Sequence, residues 1–130
     1  MPVRNFTWDT LPTLLDLVEK TKSGSSGGQG PWWRQTFREV LGQPGLDPEA
    51  NCLLLEEGGE LQGFCLIFPE LPIGRTVLEL ETVPRLASSL SEREVLRRAV
   101  GRAWELGARV VHLCLPQSSP RRELLEQEGF

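Results

Sequence analysis

Glu79 and Glu81, set in the β-branched and apolar run Thr76 to Val83 (TVLELETV), are carboxylates that could serve as a general base. A carboxylate within reach of the proton it takes, directly or through one water, suffices as a general base. The plainer alternative for both is a solvated position on a strand. His112, between Val111 and Leu113, is a lone strand histidine and reads as a packed or hydrogen-bonded side chain rather than a catalyst. Cys52 and Cys65 are two small apolar thiols in neighbouring segments, and a metal would need more ligands than this pair offers, so no metal is expected.

The elements that must hold these groups follow from periodicity and punctuation. Val3 to Phe6 reads as a short strand, and Thr7 or Thr10 can cap the helix after it. Leu11, Leu14, Leu15 and Val18 fall on one face of a helix ending near Lys22. Ser23 to Gly30 (SGSSGGQG) has no apolar anchor and predicts a flexible loop. Pro31 then opens a second helix, with Trp32, Trp33, Phe37, Val40 and Leu41 as its apolar stripe, closed by Gly42 to Pro48. Asn51 to Glu57 and Glu60 to Phe68 form a hairpin around Gly58-Gly59, since a two-residue turn demands positive φ. That turn sets Cys52 opposite Cys65. Thr76 to Val83 is a third strand, Ser91 to Leu106 a long helix stopped by Gly107, and Arg109 to Leu115 a further strand. Ser118 or Ser119 starts a last helix with Pro120 in its first turn.

Composition narrows the function classes. The 130 residues suit a single domain, and 39% hydrophobic against 25% charged residues is a globular balance. A net charge of −4 supplies no basic face for nucleic acid. No run approaches the roughly 18 apolar residues of a membrane span, and no signal-peptide pattern opens the chain. Cys52, Cys65 and Cys114 are odd in number and widely spaced, which suits free thiols in the cytoplasm.

The order of elements, the hairpin, the strand ending Thr82-Val83-Pro84, the helix closing at Gly107-Ala108 and the final Leu124 to Phe130 (LLEQEGF) together resemble the GNAT superfamily of N-acetyltransferases, over nearly the whole chain. The resemblance implies an α/β fold with a central, mostly antiparallel sheet flanked by helices, and transfer of an acetyl group from acetyl-CoA to a small-molecule amine. It implies that backbone amides of the third strand and its exit, at Leu80, Thr82 and Val83, lie along the coenzyme and its acyl carbonyl. Amides already aimed at a developing oxyanion stabilise acyl transfer without reorganising. It implies that Arg85, Ser88, Ser89 and Ser91 are the side chains available to the pyrophosphate.

The sequence departs from the family at the pyrophosphate loop. Where relatives carry Arg or Gln, two free positions, Gly, one free position and Gly or Ala, this chain has Ala87, Ser88, Ser89, Leu90, Ser91 and Glu92. Small residues there let backbone amides approach phosphate. Glu92 sets a carboxylate against a diphosphate, and Ser91 with Glu94 predicts a capping box that would occupy the same amides. The family's Tyr general acid falls on Leu125, and the chain has no tyrosine. The family's last two strands lie beyond Phe130, so the domain, 1–130, is expected to be C-terminally incomplete. The strand at Val110 to Leu115 is then expected to be covered by a second GNAT domain or a second copy of the chain. The opening residues resemble the N-terminal half of tandem members of the superfamily, of the mycothiol synthase type. The expectation is therefore a catalytically weakened acetyltransferase half-domain. The alternative is a non-enzymatic module binding a small molecule or peptide in the same cleft.

Overall fold

The computed structural model describes residues 3–26, 30–83, 89–113 and 126–127, side chains included except over 20–26, 30–35 and 71. Strand β1 (Val3–Asn5) leads through a 3-10 turn at Trp8–Thr10 into helix α1 (Leu11–Ser26), followed by α2 (Gly30–Gly42) and a one-turn α3 (Pro48–Asn51). Strands β2 (Cys52–Glu57), β3 (Glu60–Glu70) and β4 (Arg75–Thr82) come next, then helix α4 (Leu90–Glu105) and strand β5 (Val110–Leu113). The five strands form one sheet in chain order, antiparallel from β1 to β4 and parallel between β4 and β5. The α/β fold expected from the sequence is therefore present.

Both faces of the sheet are buried. Cys52 to Leu55 and Gln62 to Ile67 are buried at every position, whereas β4 alternates half-buried and buried residues. The Phe37 and Phe64 rings meet edge to face at 5.2 Å, which fixes α2 over the face carrying Leu54, Phe64 and Leu66. Helix α4 packs over β2, β3 and β4 on the opposite face, with Val95, Leu96, Ala99 and Ala103 buried. Gly107, at φ +87°, ends α4 in a Schellman turn, with the Ala108 amide donating to Ala103 O at 3.1 Å and the Gly107 amide to Trp104 O at 3.0 Å. The chain then returns to the start of β4, where Arg109 N donates to Gly74 O at 2.7 Å. This link seats β5 beside β4 in parallel.

Two local expectations are corrected. Helix α1 continues through Ser26 and α2 begins at Gly30, so regular structure enters the expected Ser/Gly loop from both ends. Propagating an existing helix adds a hydrogen bond per residue, which offsets weak propensity. Positions 27–29 lie outside the described residues. The hairpin keeps its Gly58-Gly59 turn, at φ +62° and +79°, but a bulge at Gln62 on β3, opposite the step from Leu55 to Glu56 on β2, shifts the register by one. Cys52 therefore pairs with Leu66, and Cys65 with Leu53. Since side chains alternate, the two cysteines project to opposite faces. The expected helix at 118–130 falls outside the described residues, apart from helical positions 126 and 127. Cys114 and the side chains of Trp32 and Trp33 fall outside them as well.

Burial fixes the chemistry of the two described thiols. It pushes Cys52 up to about 12 and raises Cys65 too, with the charges at Cys52 and Glu79 adding to the latter. A raised folded pKa means that stability is full below the unfolded thiol value, near 8.5, and is lost as pH rises toward 12. Native protein at pH 8 is expected to leave both thiols unmodified by iodoacetamide, and unfolded protein to lose that protection. Mass spectrometry reads the difference, and modification of the native thiols at the unfolded rate would contradict their placement.

Candidate functional site

Chemistry-bearing residues converge where β4 ends and α4 begins. The β4–β5 pairing runs from Arg75 with Val110 to Leu78 with Leu113, and from Glu79 to Thr82 β4 has β3 as its one strand neighbour among the described residues. Glu79 and Glu81 are half-buried and share the face of β4 that carries Val77, away from α4. Leu80 and Thr82 point the other way and are buried at 6% exposure each. Thus the two candidate bases and the two candidate coenzyme positions lie on opposite faces of one strand. His112 pairs with Val77 and is exposed, distant in register from Glu81.

Several candidate donors are already engaged within the chain. The Val83 amide donates to the carbonyl of Gln62, the bulged residue, at 3.0 Å. Arg85 and Ser88 lie outside the described residues. Ser89 is the N-cap of α4, in extended backbone, and its Oγ accepts from the Glu92 amide at 3.1 Å. The capping serine is therefore Ser89 and not Ser91. Two serines two positions apart are equally good caps locally, and Ser91, inside the first turn, donates instead to Glu57 Oε1 on β2 at 2.6 Å. The capping box with Glu94 is not formed, and Glu94 pairs along the helix with Arg98 at 3.3 Å. Ser89→Ala is expected to lower stability by about 1 kcal/mol, and more than Ser91→Ala does, in urea titrations. The reverse order would contradict this cap.

Sequence reasoning missed two contacts. Glu92 is fully buried, and its Oε2 accepts a hydrogen bond from Thr82 Oγ1 at 2.5 Å, tying the end of β4 to the first turn of α4. Gly63 lies opposite Thr82, where an added Cβ would sit 2.6 Å from Thr82 Cγ2 and 2.8 Å from Glu81 O. A glycine inside an otherwise apolar strand was the available signal for close backbone approach. Among the described residues no group of three or more His, Cys, Asp or Glu side chains could hold a metal ion. No described helix is long and apolar enough to cross a membrane.

The fold is similar to that of solved N-acetyltransferases. A ribosomal-protein-alanine N-acetyltransferase from Brucella melitensis superposes with a TM-score of 0.74 at 15% identity, over 98% of this chain and 82% of that one. A GCN5-related N-acetyltransferase from Sphaerobacter thermophilus gives 0.75 at 15% identity, over 98% of this chain and 42% of its own. A transcriptional regulator from Bacillus halodurans C-125 gives 0.68 at 18% identity, over 98% of this chain and 91% of that one. No protein-family model and no curated protein matches the sequence. The likeness is one of fold.

Proposed function

We propose that this chain is an acetyltransferase domain of the GNAT type whose own catalytic capacity is weak and which serves as the scaffold, or a wall of the acceptor site, for an active partner domain. The carrying observation is the parallel β4–β5 pair fed by α4, with half-buried Glu79 and Glu81 on the face of β4 away from that helix. This is where a strand can turn amides toward an acyl carbonyl, with Glu79 or Glu81 on its other face as base for an amine. The weakness rests on the side chains: no tyrosine is present to protonate a departing thiolate. The partner on this reading is a second GNAT domain, with a second copy of the chain as the alternative cover for β5. Acetyl-CoA and an amine are the substrates of the composite enzyme on this reading, and free buried Cys52 and Cys65 suit a cytoplasmic setting.

Assay of the isolated chain with acetyl-CoA across a panel of primary amines tests this. No turnover above the uncatalysed rate is expected, and steady turnover would overturn the weakened reading. A separate groove of about 420 Å³ lined by Pro44, Leu46, Phe68 and Val77 lies at the opposite end of β4; the binding-module alternative instead places a small molecule or peptide in the cleft between β4 and β5. A ligand bound there, in protein unresponsive to acetyl-CoA and amines, would favour it.

A further inference from the structure

We infer that Glu92 is an internal plug, closing the first turn of α4 against the diphosphate of a nucleotide coenzyme, with Thr82 as the latch that holds it. The inference rests on the reading of the domain as an acetyltransferase scaffold. A helix N-terminus offers unsatisfied amides and partial positive charge, and an anion ordinarily answers both. Here the chain supplies the answer itself. Ser89 Oγ takes the Glu92 amide at 3.1 Å. The Glu92 carboxylate is fully buried in that same turn and receives the Thr82 hydroxyl at 2.5 Å. Ser91, the remaining hydroxyl of the turn, is committed to Glu57 at 2.6 Å.

A diphosphate brought to this turn would meet a buried carboxylate of its own sign, in surroundings that screen charge poorly. Among the described residues of this turn the misfit with the coenzyme that the fold implies is therefore concentrated in one side chain. Leu90, although larger than the glycine expected at its position, is 81% exposed and does not fill the turn. Removing Glu92 is thus the change that should reopen it.

The test uses the full chain as wild type, Glu92→Ala and Glu92→Gln, with folding checked by circular dichroism and with inorganic pyrophosphate and acetyl-CoA as titrants in calorimetry. The expected result is no saturable binding by wild type and a gain of about tenfold or more in affinity for both probes in Glu92→Ala. Glu92→Gln removes the charge at nearly constant volume, keeps an oxygen for Thr82, and is expected to gain for pyrophosphate; it carries the test where the alanine variant fails to fold. Wild type binding acetyl-CoA as tightly as the variants would overturn the plug, as would folded variants that gain nothing. A variant that gains for pyrophosphate and no more for acetyl-CoA upholds the plug and removes the acetyltransferase reading beneath it.

Discussion

Replacing Phe64 by alanine is expected to destabilise the domain by about 3–5 kcal/mol, the cost of emptying a fully enclosed aromatic site. Phe64 has no exposed surface and meets the Phe37 ring at 5.2 Å with the planes 70° apart. It thereby joins the central strand of the sheet to α2. A domain of this size has about 5–15 kcal/mol of stability in total, so the loss is a large share of it. Urea unfolding should show the midpoint falling with little change in slope. Leu90→Ala, at an 81% exposed position, should stay within about 0.5 kcal/mol and serves as the control. A Phe64→Ala loss below about 1.5 kcal/mol would mean that α2 does not pack on this face.

Gly63→Ala should cost about 1–3 kcal/mol, by overpacking and not by loss of contact. The new Cβ would lie 2.8 Å from the Glu81 carbonyl, which is backbone and cannot swing aside, and 2.6 Å from Thr82 Cγ2. Strands β3 and β4 must then part where Thr82 holds Glu92, so the cost falls on the candidate site itself. Gly101 is the internal comparison: it lies in α4 with nothing within 4 Å of an added Cβ, so Gly101→Ala should stabilise by about 0.5–1 kcal/mol. Thermal unfolding of the two variants should move in opposite directions. A neutral Gly63→Ala would contradict the close approach of β3 to β4.

The parts of the fold legible in the sequence are those set by short-range rules. Gly58-Gly59 fixed the hairpin turn through its positive φ angles, and Gly107 fixed the end of α4 in the same way. The apolar spacing of Val95, Leu96, Ala99 and Ala103 marked the buried face of that helix. The parts that were not legible depend on distant partners. The hairpin register turned on a bulge at Gln62, whose carbonyl takes the Val83 amide from 21 positions along the chain. No local feature of the hairpin encodes that bond. The choice of Ser89 over Ser91 as cap was likewise settled by Glu57 on another element. Glu92 was read as an obstacle from its position alone. That it is buried and bonded to Thr82 follows only once β4 and α4 are packed together. The candidate bases lay where the strand pattern put them, and the same alternation sends Leu80 and Thr82 to the other side; it did not reveal which of the two sides α4 covers.

Calorimetric titration of the unmodified chain with acetyl-CoA tests the central claim most directly, because the scaffold and the closed turn of α4 make opposite demands on it. A GNAT scaffold with an open turn would give a saturable, single-site isotherm in the micromolar range, about 8 kcal/mol of binding free energy. With Glu92 seated on Thr82, the heats are expected to match dilution throughout that range. A single-site isotherm at micromolar acetyl-CoA would contradict the account.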